Sequence, residues 1–160
     1  MRVCLQRVSR ASVSVEDAIV GAIDAGYVLL VGISPEDGRA EIELLAGKIA
    51  NLRILDDRDG MMNRSALEYV AAEPTSISML VVSQFTLYAD VRKGRRPSWA
   101  HAAPPPVAEP MVAAFADALR SLGFRVETGV FGAEMAVGLV NDGPVTIWLD
   151  SADLQAPRRG

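Results

Sequence analysis

The chain is poor in the residues on which most side-chain chemistry is built. It holds one cysteine, Cys4, so no intrachain disulfide and no cysteine metal cluster can form. Cys4 lies at the edge of an apolar segment and reads as a small buried hydrophobe, not as a nucleophile. The single histidine, His101, follows Trp99-Ala100 in a loop and has no serine elbow to serve. It reads as an exposed structural residue. Glycine-rich phosphate cradles are missing, because neither Lys93-Gly94 nor Gly129-Val130-Phe131-Gly132 has the required spacing. Asp57-Arg58-Asp59-Gly60 has the composition of a calcium loop, but Leu55 and Ala66 occupy the first and last ligand positions, which leaves an acidic turn. These absences remove support from metal hydrolysis, triad hydrolysis and nucleotide binding. No cofactor and no metal is expected, and any chemistry has to proceed without a strong side-chain base.

Other absences bound the setting. No run approaches the ~18 apolar residues that a membrane span requires. Met1 to Arg7 places polar residues where a signal peptide needs an apolar stretch. A soluble, cytoplasmic protein with no membrane partner is expected. The net charge of −4 argues against non-specific coating of nucleic acid, yet leaves room for a local basic patch.

What is present is ordinary globular material. With 160 residues, 50% apolar and 22% charged, the chain suits one domain with a core of its own. Val3, Leu5 and Val8, then Val13 and Val15, predict two short strands separated at Arg10-Ala11. Ile19 to Ile23 and Tyr27 to Ile33 predict a further pair around the turn Asp24-Ala25-Gly26, the second apolar enough to be covered on both faces. Ser34-Pro35-Glu36-Asp37 supplies caps for a helix near 38–51, with Ile42, Leu45, Ile49 and Leu52 on its apolar face. Ile77 to Leu87 reads as the longest strand. Pro104-Pro105-Pro106 precedes a helix near 107–122, with Val107, Met111, Phe115, Ala118 and Leu122 inward and Gly123 as its stop. Val126 to Phe131, Met135 to Val140 and Val145 to Leu149 read as strands. Two main helices among about eight strands, with few parallel crossovers, indicate an α+β fold on a mostly antiparallel or mixed sheet. A single domain over 1–151 is expected, with 152–160 as a flexible tail.

Two segments break the rules of the strands that contain them, and such local inconsistency is where function is expected. The first is apolar from Ile77 to Val82, then meets Ser83, Gln84 and Thr86, and runs on into Lys93-Gly94-Arg95-Arg96. The second, Ala133 to Val140, is interrupted at Gly143-Pro144 and resumes at Val145. Ser83 and Thr86 read either as hydroxyls closing a strand or as part of a reactive site. Lys93, Arg95 and Arg96 form either a solvated turn or a phosphate-positioning loop. Gly143-Pro144 is compatible with a plain hairpin turn.

Taken jointly, Ser83 to Trp99 and Leu139 to Asp150 resemble the signature motifs of the D-aminoacyl-tRNA deacylase family. The opening residues Met1 to Val13, Lys48 to Ile54, and Glu127-Thr128-Gly129 through Met135 extend the likeness over roughly residues 1–151. Trp99 stands where the family often has Phe. The resemblance implies a deacylase-type, barrel-like fold and hydrolysis of the ester of D-aminoacyl-tRNA, with Gly-tRNA as a further substrate. It implies that Ser83, Gln84, Phe85 and Thr86 present backbone N–H groups to the scissile carbonyl, and that the 2′-hydroxyl of the terminal adenosine assists the water. Thr86, lacking a neighbouring base, is given an orienting role. The resemblance further implies that Gly143-Pro144 is a cis element reaching into the other subunit of a homodimer, where its carbonyls exclude L side chains. Arg7 would hold that peptide and Met135 would line the same pocket, while Lys93, Arg95 and Arg96 would take tRNA phosphates. Two rivals stay open: a related deacylase clearing a small L-amino acid from tRNA, and a non-catalytic RNA-binding module.

Overall fold

The computed structural model describes residues 1–157. One six-stranded mixed sheet organises it, in the order β2-β1-β3-β6-β7, with β8 on the far side of β1. The strands are β1 (Arg2–Val15), β2 (Ala18–Ile23), β3 (Gly26–Gly32), β6 (Ser78–Ser83), β7 (Arg125–Thr128) and β8 (Ala136–Asp150). A small hairpin, β4 (Leu55–Asp56) and β5 (Met62–Arg64), stands apart from it. The helices are α1 (Arg39–Asn51), α2 (Ala66–Ala72), α3 (Pro105–Ser121) and α4 (Ser151–Gln155), and a 3-10 turn covers Phe85–Tyr88.

Three departures from the expected strands have one origin, a long bent hairpin. The two strands expected around Arg10-Ala11 are one strand, β1. Its buried set passes from Val3 and Leu5 to Val8, Ala11 and Val13, so the strand bends and changes the face it buries without ending. The strands β2 and β3 do not pair with each other. Both pair antiparallel with β1, and the offset that matches Val8 with Gly26 also matches Ala11 with Ile23. They form one returning arm, kinked at Asp24-Ala25. The hairpin's tip is Glu16-Asp17, both residues at positive φ (49° and 63°), the backbone that a two-residue turn matched to strand twist requires.

The parallel part of the sheet follows from helical crossovers. The strand β6 lies parallel to both β3 and β7, and α3 carries the chain from β6 to β7. The apolar β3 is buried along nearly its whole length, as its composition demands. One face of the sheet packs Leu5, Tyr27, Leu29, Met79 and Val81 under α1, α2 and α3. The other face packs Val13, Val28, Leu80 and Val82 inside the curl of the sheet, where β2 comes round to touch β6 and β7. This curl gives the barrel-like form.

The expected strand Ile77 to Leu87 is shorter: β6 ends at Ser83, and β8 and β1 are the longest strands. The strand expected at Val126–Phe131 likewise ends at Thr128. Residues 152–155, expected as tail, lie in α4, a helix capped by Asp150, whose carboxylate accepts from the Ala152 N–H at 3.0 Å. The remainder of that tail, from 158 on, lies outside the described residues. Helix α2, absent from the sequence reading, begins with reciprocal capping: Ser65 Oγ accepts from Glu68 N–H, and Glu68 Oε2 accepts from Ser65 N–H. In α3 the inward residues are Ala108, Phe115, Ala116 and Leu119, and Val107 is exposed.

Phe115 is fully buried between α3 and the sheet. Phe115→Ala is expected to lower stability by about 3–5 kcal/mol. The check is urea denaturation, with a lower midpoint and an unchanged slope.

Candidate active site

The strand β6 is apolar while it is sandwiched between β3 and β7, and its character changes where β3 runs out. There the Gln84 N–H donates to Val31 O at 2.7 Å, the last rung of the ladder. The chain then tightens into the 3-10 turn, closed by Leu87 N–H to Gln84 O at 3.2 Å and Ala89 N–H to Thr86 O at 3.0 Å. Gly32 gives the turn its seat. A Cβ at that position would stand 3.0 Å from Gln84 O and 3.1 Å from Leu87 Cβ, so a side chain there would have to shift the turn by a few tenths of an ångström.

Among the described residues, no hydrogen bond takes up two of the turn's backbone donors. The N–H groups of Phe85 and Thr86 come first in it, and the geometry of a helical start gives such groups no acceptor inside the turn. Gln84 N–H, by contrast, is committed to Val31. The Gln84 side-chain amide donates to Thr86 Oγ1, which fixes that hydroxyl beside the open donors. No histidine or carboxylate contacts it among the hydrogen bonds of the described residues.

A cavity of about 520 Å³ opens next to this turn. Ser83, Gln84 and Phe85 line it together with Met135, Phe131 and Trp99. The sequence-predicted residues 83–85 and Met135 therefore meet in one place. The wall built from Ala108 and Val112 of α3 and from Phe131 was not legible: the helix reading singles out neither Ala108 nor Val112, and Phe131 reads as a strand end. His101 lies elsewhere, in a second cleft with Arg2, Tyr88 and Arg92. Cys4 is only partly buried, and burial pushes its thiol pKa up, away from nucleophilic character.

The basic segment leaves the turn as a closed loop. Asp90 and Ser98 exchange backbone hydrogen bonds, both at 2.9 Å. Within the loop the Asp90 carboxylate accepts from Arg92 Nε at 2.9 Å, from Arg92 Nη2 at 2.6 Å and from the Arg92 backbone N–H at 3.0 Å. The hydrogen bonds from Arg92 hold the Asp90 carboxyl well below the usual carboxylate range. Its pKa is lowered in the fold, so the clamp is present above the ordinary Asp pKa and is lost only as pH falls through the lowered value. Arg92 is thus occupied. Lys93, Arg95 and Arg96 are exposed and enter no ion pair among the described residues.

The second segment is neither a strand break nor a hairpin turn. It is a bulge within β8, which pairs with β1 on both sides of it. Between the pairs Gln6–Thr146 and Val8–Asn141, one residue of β1, Arg7, faces four of β8, Asp142 to Val145. The Gly143-Pro144 peptide in this bulge is cis. Gly143 has φ +116°, and a Cβ there would stand 3.0 Å from Arg7 Nη2 and 2.9 Å from Val145 Cγ2. Arg7 is buried and reaches both ways. Its Nε donates to Asp142 O at 3.2 Å, and its Nη1 donates to Ile54 O at 2.7 Å and to Asp56 Oδ1 at 3.3 Å. Gly143 and Pro144 are exposed, and neither they nor Arg7 line the 520 Å³ cavity of their own chain. The partners of Arg7 in the β4–β5 hairpin were not foreseen, since the acidic turn there reads as solvated.

The site is thus one of backbone donors over an apolar hollow, and comparison with known proteins gives the class. The family model for D-Tyr-tRNA(Tyr) deacylase matches residues 4–150, so the chain belongs to this family. It is 61% identical over 155 residues to the D-aminoacyl-tRNA deacylase of Thermomicrobium roseum, covering 97% of each chain. It is 58% identical to that of Roseiflexus sp. strain RS-1, covering 99% of this chain and 98% of that one. Among solved structures, one named c-Myc DNA Unwinding Element Binding Protein superposes with a TM-score of 0.84 at 40% identity, covering 94% of this chain and 98% of that one. Another, a probable eukaryotic D-amino acid tRNA deacylase, superposes with a TM-score of 0.76 at 19% identity, covering 92% and 97%, and shares the fold.

Two glycines of β8 separate the effect of the bulge from that of the strand. Gly143→Ala meets both a positive φ and the Arg7 guanidinium, and is expected to lower stability by about 1–3 kcal/mol. Gly138→Ala, where the nearest atom to a new Cβ is Ser12 Oγ at 3.7 Å, should be neutral or mildly stabilising. Thermal unfolding of the two variants side by side checks the difference.

Proposed function

We propose that this protein hydrolyses the ester bond of D-aminoacyl-tRNA, releasing the D-amino acid and free tRNA, and acts on Gly-tRNA as well. The observation that carries this reading is the turn that begins at Phe85 and Thr86, whose first N–H groups find no acceptor inside it, beside an apolar cavity that Phe85 lines and Thr86 does not. In the proposed mechanism these N–H groups receive the negative charge that develops on the scissile carbonyl oxygen. Ser83 and Gln84 frame the same wall, and Gln84 spends its side chain on orienting Thr86. Thr86 orients substrate and does not attack it, since its oxygen already accepts a hydrogen bond and no base adjoins it. The water is assisted by the 2′-hydroxyl of the terminal adenosine. An aminoacyl ester is labile enough that positioning plus charge stabilisation suffices.

Chiral selection is assigned to Gly143-Pro144 of a second copy of the chain. Three observations support this. The bulge is exposed and does not line its own cavity. Among the described residues β8 pairs only with β1, which leaves its other edge to meet another chain. Val137, Val140 and Trp148 along it are exposed apolar residues. In such a homodimer the carbonyls of Gly143 and Pro144 would face the substrate Cα beside Met135, leaving room for hydrogen but not for an L side chain. Lys93, Arg95 and Arg96 would hold tRNA phosphates, and the substrate puts the work in the cytoplasm. No helix among the described residues is long and apolar enough to cross a membrane.

Hydrolysis of D-Tyr-tRNA against L-Tyr-tRNA tests the activity directly. His101→Ala and Cys4→Ala are expected to keep deacylation within a few-fold of wild type. A loss of more than about tenfold, ~1.4 kcal/mol of barrier, would refute a mechanism without a side-chain base.

Arg7→Lys keeps the charge but loses the guanidinium's spread of donors. D-over-L discrimination is expected to fall while the far-UV spectrum stays native. Undiminished discrimination would separate Arg7 from chirality. Replacing Lys93, Arg95 and Arg96 together by Ala should raise KM for charged tRNA and flatten its dependence on salt, because fewer counterions are released on binding. An unaltered salt slope would make the loop a solvated turn.

A further inference from the structure

Phe85 and Trp99 are the exposed aromatic residues of the cavity wall, at 55% and 40% exposure. Their rings meet edge to face, with centroids 5.1 Å apart and planes at 77°. Large aromatic rings at the rim of an apolar cavity are costly to leave in water, and neither ring is held there by the chain's own core. Phe85 belongs to the turn that carries the open donors, and Trp99 directly follows the Asp90–Ser98 pairing that closes the basic loop. The pair therefore stands between two features of opposite demand. On one side is the cavity beside the Phe85 and Thr86 N–H groups. On the other are the unpaired cations Lys93, Arg95 and Arg96.

A ligand that spans these features has an uncharged end group in the cavity, anionic groups at the loop, and a flat apolar surface between them. Single-stranded nucleic acid has this alternation, and stacking of bases on aromatic side chains is its usual mode of capture without base-edge readout. Resting on the deacylase reading, we propose that Phe85 and Trp99 form a stacking platform for the unpaired nucleotide that immediately precedes the terminal adenosine of the tRNA. The edge-to-face packing fixes the two rings as one ledge, so a base lying flat on one ring meets the other with its edge. The platform would hold the 3′ strand straight between loop and cavity, and it reads no base identity. Its contribution falls on substrate capture and not on the chemical step. A second copy of the chain is the competing occupant of such rings, but the adjoining positive loop matches a polyanion.

The test uses the full-length protein and D-Tyr-tRNA with a native or an abasic nucleotide preceding the terminal adenosine. Trp99→Ala is expected to raise KM about tenfold, with the loss confined to KM, and Trp99→Phe to restore most of it. The abasic tRNA should cost the wild type a similar factor and cost Trp99→Ala nothing further. Uncharged tRNA should quench the tryptophan emission of wild type but not of Trp99→Phe, which assigns the signal to position 99 and not to Trp148. Equal KM for native and abasic tRNA, or an additive loss in Trp99→Ala, would overturn the platform. So would a Trp99→Ala variant whose KM is unchanged while its sedimentation shifts, since the ring would then be a subunit contact. Binding of uncharged native against abasic tRNA is measured independently of turnover. A protein that discriminates the two but hydrolyses nothing keeps the platform and refutes the deacylase reading; one that hydrolyses D-Tyr-tRNA and ignores the abasic site does the reverse.

Discussion

A guanidinium can be taken out of water only if its N–H groups find acceptors, and Arg7 of β1 is 7% exposed. Its acceptors come from two stretches of chain: Ile54 O and Asp56 at the β4–β5 hairpin, and Asp142 O in the β8 bulge. The two carboxylates are about half exposed, so solvent screens much of their attraction. The grip lies mainly in the two carbonyls. Removing one partner of a buried charge costs about 3–5 kcal/mol, because the charge that remains is uncompensated. One side chain of β1 therefore ties the hairpin to the bulge, which the β1–β8 ladder holds on either side. Tyr27, opposite Arg7 in the sheet, is fully buried, and desolvation pushes its phenol well above its ordinary pKa although the Arg7 charge works against this.

Sequence pattern made some of this legible and hid the rest, for identifiable reasons. The uninterrupted apolar run of Tyr27 to Val31 has one physical solution, a strand covered on both faces, and β3 is that strand. The spacing of Ile42, Leu45 and Ile49 likewise decides the buried side of α1. The path of β1 was misread because a strand that bends and swaps its buried face looks, residue by residue, like two strands. The returning arm was misread because a kink at Asp24-Ala25 carries the same turn residues as a hairpin. Proline inside β8 suggested a break, whereas a bulge accommodates a residue that cannot donate to the ladder. Helix α2 is short and lightly buried, and its only strong signal in the sequence is Ser65 three residues before Glu68.

At the candidate site the balance is similar. Ser83 to Thr86 announced themselves because hydroxyl and amide groups are out of place at the end of an apolar strand. Their division of labour depends on which N–H groups the ladder and the turn consume, and no pattern of residue types reports that. The far wall of the cavity comes from α3 and from the segment before β8, whose apolar residues are indistinguishable in sequence from core. Asp90 reads as one more loop acid. Only in the fold does it clamp Arg92 and leave the three remaining cations of the loop free.

In the proposed mechanism the groups that meet the developing charge belong to the peptide backbone of Phe85 and Thr86. A main-chain donor is indifferent to codon changes. Every amino acid except proline supplies the same N–H at those positions, and what holds it in place is the seat provided by Gly32. Mutational drift at 85 and 86 can alter the size or stickiness of the pocket while the donors persist. On that proposal, the heritable specification of the turn sits largely in a residue with no side chain, one strand away from the turn itself.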